Sequence, residues 1–596
     1  MGVWSRAARE LRFLGGLVRT LKRVRSITPD STTLTCDDLE AAVDKFAMRT
    51  AVVFEGRSVS YAELDAMANR YASWAKGRGV IRGETVALFM PNRIEYLAVW
   101  YGLSKVGVVT ALINNQLTGP ALAHCLNVCG AANIISDAET TPAFQAIRSQ
   151  LTRSVTEWVI GGGGAAGDRN LDQALKGASS LRPTRETARE GITAKDVALY
   201  IFTSGTTGMP KAAKVTHMRA QVYMRGFVAA TNAKPSDRVY NALPLYHATG
   251  GLVAVGAALL GGGAVILKRR FSASQFWTDI VDNDCTMFVY IGEFCRYLVN
   301  QPEQPVETRH KLRLIFGNGL RADVWAQMEQ RFKIPMVLEF YGSTEGNVSV
   351  LNFDGKMGAI GRIPGYLRSR FNVRLVKFDQ DTHEPVRGPK GLLIECAPDE
   401  VGECIGRIAS DARSSFVGYA DKAATSKKIL HDVFKPGDMW FRTGDLMRQD
   451  REGYLYFVDR VGDTFRWKGE NVSTTEVETR LSELAGVEEA NVYGVSVPNT
   501  EGKGGMAAIV AGPHLDLAGL PAAMNDCLPA FAQPVFLRLL GRMETTGTFK
   551  PKKTDLVAEG FDPSKVADAM FYRCAQGYAP LDAAAYRRIC SGEIRL

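Results

Sequence analysis

Patterns that would indicate a metal-binding or disulfide-stabilised domain are missing from this sequence. Its 596 residues contain ten cysteines, none in a Cys-x-x-Cys pair, and the closest two are Cys125 and Cys129. The seven histidines are equally dispersed. Zinc sites and disulfide frameworks both depend on short, regular spacings. We therefore predict neither, and the cysteine usage favours a reducing, cytoplasmic location.

A convincing membrane span is also missing. Residues 241–267 carry no Asp, Glu, Lys or Arg, which is long enough to raise the question of a span. A Leu-Pro-Leu-Tyr-His segment at 243–247 opens this stretch, and three glycines at 261–263 interrupt it. We therefore predict a buried helix over residues 251–260, followed by a strand at 264–267, rather than a transmembrane helix.

Basic charge is concentrated at the N-terminus. The formal net charge is +9, and residues 1–27 hold seven Lys or Arg residues against Glu10 alone, a surplus of six. The rest of the chain is close to balanced, so no basic stripe continues into the folded body. This distribution argues against nucleic-acid binding.

The same N-terminal segment has helical periodicity. Leu14, Leu17, Leu21 and Val24 recur at a spacing of three or four, with arginines between them. The pattern predicts a basic amphipathic helix over residues 6–25 that lies on an anionic membrane surface. Two other interpretations stay open: a solvated helix that packs on its own domain, and an organelle presequence.

The main chemical signal lies at residues 200–211, which read YIFTSGTTGMPK. The apolar run at 197–202 predicts a buried strand, and a loop of small and hydroxyl residues follows it. Glycine N–H groups, hydroxyl groups and a lysine together favour a phosphate, although the spacing is not that of a Walker A loop. The candidate phosphate ligands are Thr203, Ser204, Gly205, Thr206, Thr207, Gly208 and Lys211.

The chain around this motif alternates between strands and helices, with strands predicted at 51–54, 85–89 and 108–112. Such alternation predicts an α/β fold with parallel sheets covered by helices. Two more strands, at 312–316 and 336–340, also end in small, polar or acidic residues. Ligands bind α/β sheets at the carboxyl ends of strands. The candidate nucleotide ligands there are Gly317, Asn318, Gly319, Tyr341, Gly342 and Thr344, and Glu345 supplies a carboxylate for Mg²⁺.

The last third of the chain predicts a second, smaller domain. Asp445 is placed on a loop, where its carboxylate can accept both ribose hydroxyls. A strand at 454–458 leads to Arg460, and we place the domain boundary near Val461. A short α+β pattern follows it. The predicted divisions are therefore a helix at 1–28, a large domain at 29–460, and a small domain at 461–596 with a hinge near 461–463.

These motifs resemble those of the adenylate-forming enzymes, which include acyl-CoA synthetases, adenylation domains of peptide synthetases and luciferases. The resemblance is strongest to the branch of fatty-acid transport proteins and very-long-chain acyl-CoA synthetases. It rests on residues 200–211, 317–325, 465–472 and 547–550. It implies a large multi-subdomain α/β body with a small, mobile α+β C-terminal domain.

The resemblance also implies a reaction. A fatty carboxylate attacks the α-phosphate of ATP to give acyl-AMP and pyrophosphate, and the CoA thiol then displaces AMP. Glu345 and Thr206 hold Mg²⁺, His247 lies beside the carboxylate, and Asp445 with Arg460 fixes the ribose. Lys468 and Gly469 face CoA, and a pivot at Gly462 moves the small domain between the two half-reactions.

Three lysines are candidates for the catalytic lysine of the family. Most of the superfamily has it directly after Thr-Gly, where this chain has Thr548. Lys550 is the first lysine after that point, and Lys552 and Lys553 are the alternatives. A core histidine with no role in catalysis is the alternative interpretation of His247.

The functional expectation is a long- or very-long-chain fatty acyl-CoA synthetase that uses ATP, Mg²⁺ and CoA. Its predicted partners are a fatty acid, a membrane surface contacted through residues 6–25, and a second copy of the chain in a homodimer, with no nucleic acid. Its predicted location is the cytoplasm, at the inner face of a membrane. The alternatives are an acyl-AMP ligase that loads a carrier protein, and a fatty acid transporter without ligase activity.

Overall fold

The computed structural model describes residues 3–162, 169–205, 208–379, 382–500, 502–545, 552–574 and 576–596. The chain forms two compact units. The first comprises Met1–Arg362 and Gly406–Ile429, and the second Ile363–Ile405 and Leu430–Leu596. Val461 lies inside the second unit, so a separate domain that begins there stays a prediction.

The first unit contains two predominantly parallel sheets. The eight strands of one sheet are, in spatial order, Ser349–Leu351, Val337–Gly342, Leu314–Asn318, Met287–Ile291, Arg238–Asn241, Ala264–Leu267, Thr50–Phe54 and Arg57–Ser60. The seven of the other are Arg169–Asn170, Thr156–Ile160, Asn133–Asp137, Thr85–Phe89, Val109–Leu112, Val197–Gly205 and Gly208–Thr216. Strands such as Ala264–Leu267 are buried at every position, as expected where helices cover both faces of a parallel sheet.

Helices connect these strands. The α-helices of the first unit are Val3–Val24, Thr35–Phe46, Tyr61–Gly77, Ile94–Ser104, Gly119–Cys129, Thr141–Ile147, Leu171–Lys176, Arg185–Ala188, His217–Ala230, Val255–Leu259, Phe276–Asp282, Gly292–Val299, Ala322–Gln330 and Lys422–Ser426. The α/β prediction is confirmed, and a capping box formed by Ser60 and Glu63 opens the helix Tyr61–Gly77. The charge-free stretch forms a π-helical turn at Thr249–Ala254, the helix Val255–Leu259 and a strand. In the described part of the chain, no helix is both long and apolar enough to cross a bilayer.

The second unit is richer in antiparallel pairing. One of its sheets joins Tyr454–Arg460, Met439–Gln449, Val401–Arg407 and Val373–Val376, with Ile429–His431 beside Met439–Gln449. A second sheet has the order Val487–Ser496, Lys503–Ala511, Phe536–Leu540, Met570–Cys574 and Gly577–Pro580. The helices of this unit are Thr474–Ser482, Leu520–Asn525, Thr554–Glu559 and Ala583–Cys590. The last two strands of the second sheet were not predicted.

The N-terminal helix Val3–Val24 packs on its own unit. Phe13 and Val24 are buried, and the Arg19 guanidinium donates a hydrogen bond to the carbonyl of Ala229 (3.3 Å). Leu11 and Val18, by contrast, are 70% and 61% exposed. The helix therefore has one face in the fold and a second, partly apolar face toward solvent.

Candidate active site

The phosphate motif forms a β-hairpin. Val197–Gly205 pairs with Gly208–Thr216, so that Thr203 lies opposite Lys211 and Gly205 opposite Gly208. The predicted strand is therefore right, but the prediction that a loop follows residue 202 is wrong, because both arms continue the ladder. Thr206 and Thr207 lie outside the described residues. Lys211 and the backbone of Gly205 and Gly208 are thus held on a rigid element.

A tyrosine that the sequence did not single out lies against this hairpin. Tyr419 is 4% exposed, and its hydroxyl donates to Oε1 of Glu345 (3.0 Å). The Lys211 Nζ lies 5.8 Å from the centre of its ring. Burial, together with the charge of Glu345, raises the pKa of this tyrosine, so the hydroxyl keeps its proton. Tyr419 therefore links the predicted phosphate lysine to the predicted metal ligand.

Side chains of the helix His217–Ala230 hold the segment that carries Glu345. Arg219, on His217–Ala230, donates to the carbonyl of Gly346 and to that of Ser415 (2.9 Å). Tyr223, one turn further along the helix, donates its hydroxyl to the carbonyl of Ser343 (2.8 Å). Their spacing of four on the helix that follows the phosphate motif is the one sequence signal that could have found these supports.

The two neighbouring strand ends come together as predicted. Leu314–Asn318 and Val337–Gly342 are adjacent and parallel, and both run further than predicted, into the candidate ligands themselves. Gly319 follows with a φ of +80°, a conformation that favours glycine. This turn places Gly317, Asn318 and Gly319 beside the strand that ends in Tyr341 and Gly342.

A buried carboxyl group supports the turn. Glu339 accepts a hydrogen bond from the Leu320 N–H (3.1 Å) and another from the Tyr290 hydroxyl. Complete burial raises the pKa of Glu339 to about 8, despite these bonds. The sequence analysis missed Glu339, since a single acidic residue within an apolar strand has no motif.

Two buried polar atoms at these strand ends fit a nucleotide. The side-chain oxygens Oδ1 of Asn318 and Oγ of Ser343 are buried and have no hydrogen-bond partner among the described residues. Leaving such a group unpaired is costly, and a polar ligand removes that cost. Because Glu345 follows Ser343 by two residues, the donor set suits a nucleotide with a bound Mg²⁺ ion, which prefers carboxylate and phosphate oxygens.

The side-chain amide of Asn92 holds the backbone of the segment that leads to His247. Asn92 donates to the carbonyl of Leu243 and accepts from the N–H of Leu245, both at 2.9 Å. The His247 ring packs against that of Tyr246, with 4.5 Å between ring centres. The structure thus fixes the backbone of this segment, and the role of His247 beside an acyl carboxylate stays a prediction.

The predicted ribose pair lies in the second unit. Asp445 and Arg460 are cross-strand neighbours, and the Arg460 Nε lies 3.7 Å from Oδ1 of Asp445. The prediction that Asp445 lies on a loop is wrong, because it lies within the strand Met439–Gln449. Thr443 supports it by accepting from its N–H (3.1 Å) while donating to the carbonyl of Cys404 (2.6 Å).

The predicted CoA-facing residues form a tight turn. Lys468 (φ +50°) and Gly469 (φ +83°) connect the strands Phe465–Trp467 and Glu470–Val472. Two successive positive φ angles are typical of a two-residue hairpin turn. Trp467, buried at the base of this turn, anchors it in the core of the second unit. The lysine and glycine are therefore presented on a short, well-supported loop.

The structure distinguishes among the three candidate lysines. Lys550 lies outside the described residues. Lys553 is only 22% exposed, and its Nζ lies 2.9 Å from Glu478 and 2.8 Å from the Thr474 hydroxyl. Lys552 is exposed and lies 3.4 Å from Glu544. Lys553 therefore already has two partners within its own unit, whereas the choice of the catalytic lysine among the three stays a prediction.

A charged cavity of about 370 Å³ lies elsewhere in the first unit, at the strand ends near Phe54, Asp137 and Ile160. Its arginines are already paired with carboxylates, for example Arg269 with Glu55 (2.8 Å) and Arg93 with Glu95 (2.9 Å). The predicted nucleotide ligands do not line it. We therefore place the candidate site at the phosphate hairpin and not in this cavity.

Comparison with known proteins adds independent information. The AMP-binding enzyme family matches residues 39–405, and its C-terminal domain matches residues 476–550. The long-chain fatty acid transport protein 1 of Mus musculus is 42% identical, over 100% of this chain and 93% of its own.

Solved structures share the fold. ATP-bound MatB from Rhodopseudomonas palustris is 25% identical with a TM-score of 0.73, over 88% of this chain and 98% of its own. A fatty acyl CoA synthetase of Mycobacterium tuberculosis is also 25% identical, with a TM-score of 0.61 over the same shares.

Proposed function

Because the chain belongs to the AMP-binding enzyme family, we propose that it is a long-chain fatty acid–CoA ligase that proceeds through acyl-AMP. It is an ATP-dependent, AMP-forming enzyme by that membership. The identity to fatty acid transport proteins, across the whole chain, supports a fatty acid as the substrate. The observation that supports the proposal is the Lys211–Tyr419–Glu345 arrangement, which joins the phosphate hairpin to the carboxylate that we propose as the Mg²⁺ ligand.

The first half-reaction joins two anions. An oxygen of the fatty carboxylate forms a bond to the α-phosphorus of ATP, and the bond to the bridging oxygen of pyrophosphate breaks. Lys211 and the hairpin N–H groups hold the β- and γ-phosphates, and the strand ends at Asn318 and Tyr341 hold the base. Glu345, with Thr206, would hold Mg²⁺, which supplies positive charge to the phosphate oxygens.

Catalysis by these groups is positioning and charge stabilisation, and no protein nucleophile is needed. Lys550 brings a further cation to the carboxylate and the α-phosphate, and Asp445 with Arg460 fixes the ribose. In the second half-reaction the CoA sulfur attacks the acyl carbon, and AMP leaves with the former carboxylate oxygen. Lys468 and Gly469 face CoA in this step.

We further propose that the enzyme docks on membranes through the exposed face of Val3–Val24. Leu11 and Val18 point to solvent, and the same helix carries most of the surplus basic charge of the chain. An apolar face flanked by Lys and Arg suits the interface of an anionic bilayer. Ligation of the acid at the membrane would trap it as a thioester and so support uptake.

The test is a substrate panel. Purified protein, ATP and Mg²⁺ are combined with fatty acids of graded length, and AMP release is measured with and without CoA. AMP release that depends on both a long-chain acid and CoA supports the proposal. Accumulation of acyl-AMP that CoA does not discharge, but an acyl carrier protein does, would replace CoA with a carrier as the acceptor.

A further inference from the structure

We propose that Tyr419 is a positioning residue for adenylation: its hydroxyl orients the Glu345 carboxylate for Mg²⁺, and its ring positions Lys211 for the phosphates. The inference rests on the assignment of Glu345 to Mg²⁺ in the proposed function. Tyr419 follows Glu345 by 74 positions and Lys211 by 208, so the fold and not a local motif brings the three together.

A hydrogen bond from Tyr419 holds one oxygen of the Glu345 carboxylate. The Tyr419 hydroxyl and Oε1 of Glu345 are 3.0 Å apart. A hydroxyl donor on one oxygen fixes the rotation of the carboxylate and leaves the second oxygen available. Groups that hydrogen-bond metal ligands in this way set the ligand orientation, and their loss typically lowers metal affinity about 10- to 100-fold.

Backbone hydrogen bonds hold the segment around Tyr419 in place. The Ala420 N–H donates to the carbonyl of Ala212 (2.8 Å), and the Lys214 N–H donates to that of Gly418 (2.9 Å). Tyr419 thus lies opposite Ala213 in an antiparallel bridge to the outer arm of the phosphate hairpin. Its backbone N–H also donates to the Thr425 hydroxyl (3.0 Å). The ring therefore has a fixed direction before any ligand binds.

The ring of Tyr419 also lies beside the side chain of Lys211. The Lys211 Nζ lies 5.8 Å from the centre of the Tyr419 ring. An aromatic face attracts a cation without neutralising it. A carboxylate partner in this place would compete with phosphate, whereas the ring holds the ammonium group and leaves its charge for the ligand.

Two substitutions separate the two roles. Tyr419→Phe removes the hydroxyl and keeps the ring, and Tyr419→Leu removes both. The binding of α,β-methylene-ATP, which cannot release pyrophosphate, is measured by calorimetry across a Mg²⁺ titration and in EDTA. Binding is read without turnover, so the result does not depend on activity. Circular dichroism and thermal melting check that each variant folds.

For Tyr419→Phe we expect an apparent Mg²⁺ affinity about 10-fold below that of the parent, with unchanged affinity for the metal-free nucleotide. For Tyr419→Leu we expect the same loss and, in addition, weaker binding in EDTA. The matched control is Tyr456→Phe, because the Tyr456 hydroxyl also donates to a carboxylate, that of Asp450, at 3.0 Å. This control should bind both forms like the parent.

The outcomes distinguish this inference from the assignment on which it rests. Glu345→Gln is measured alongside. If Glu345→Gln lowers the Mg²⁺ affinity but Tyr419→Phe does not, the positioning role of Tyr419 is wrong and the metal site stands. If neither changes it, Glu345 does not hold the metal. Identical binding by the Phe and Leu variants in EDTA would overturn the role of the ring toward Lys211.

Discussion

Two clusters in the described residues each combine a carboxylate, a lysine and hydroxyl groups. They differ in how many hydrogen bonds the carboxylate already accepts. In the first unit, Glu345 accepts a hydrogen bond from Tyr419, and the Lys211 ammonium group lies near the ring of that tyrosine. In the second unit, buried Asp459 accepts from the N–H of Thr474 (2.6 Å), from that of Arg460 (2.8 Å) and from two threonine hydroxyls.

The difference separates a binding site from a structural cluster. A polar group with spare hydrogen-bonding capacity can take a ligand, whereas a saturated group holds the fold. Lys553 belongs to the second kind, because Glu478 and Thr474 both contact its Nζ. Burial alone would lower the pKa of Lys553, but the charges of Glu478, Asp463 and Asp459 outweigh it and raise the pKa. Sequence alone shows a lysine and an acidic residue in both places.

The largest loss of acyl-AMP formation is expected from Glu345→Gln. The substitution keeps the shape of the side chain and removes the charge that binds Mg²⁺, so acyl-AMP formation should fall about 10²- to 10³-fold. Exchange of labelled pyrophosphate into ATP measures this step. The thermal midpoint should match that of the parent, and near-normal exchange would show that the metal site is misplaced.

Lys550→Ala and Lys553→Ala distinguish a catalytic lysine from a structural one. Lys550→Ala should slow acyl-AMP formation about 10²- to 10³-fold, while supplied acyl-AMP and CoA still give thioester at nearly the parent rate. Lys553→Ala leaves buried carboxylates without their cation, so its thermal midpoint should fall and both half-reactions should suffer together.

Half-reaction assays of both variants decide the assignment. Equal losses in the two steps for Lys550→Ala would remove it from catalysis. A stable Lys553→Ala protein with only the first step impaired would make Lys553 the catalytic lysine instead.

Charge on the exposed face of the N-terminal helix tests membrane docking. Leu11→Asp with Val18→Asp should weaken binding to anionic vesicles about 10-fold or more, because two exposed apolar side chains lose their burial in the interface. Activity on medium-chain acids in solution should not change. Leu181→Asp, another exposed apolar position at 80%, is the control. Vesicle sedimentation that does not distinguish the double variant from the control would leave the helix with a purely structural role.

The smallest effect concerns the pH dependence of stability. The pKa of Glu339 is about 8 in the folded chain against 4.5 in an ordinary setting, so the folded state binds more protons between these values. Its contribution to stability is full below pH 4.5 and is lost as the pH rises through 8. Glu339→Gln should therefore lessen the fall of the thermal midpoint between pH 5 and pH 8. An unchanged fall would show that other groups cause it.

The sequence predicted the elements that positioned the nucleotide motifs because each motif follows an apolar run. The strands at 85–89 and 264–267 were predicted to the residue. Asp445 was misplaced because a polar residue in a strand looks like a loop residue when its cross-strand partner, Arg460, is unknown. Tyr419, Arg219 and Glu339 were missed, since their roles arise from tertiary contacts.

In the proposed reaction, a carboxylate oxygen of the fatty acid attacks the α-phosphorus of ATP. A long-chain acid labelled with ¹⁸O in both carboxylate oxygens is converted to its CoA thioester by the parent enzyme, and the AMP is analysed by mass spectrometry. Attack at the α-phosphorus, followed by cleavage of the acyl C–O bond by CoA, predicts one ¹⁸O atom in each AMP. Thioester formation with unlabelled AMP would show that the carboxylate does not attack the α-phosphorus.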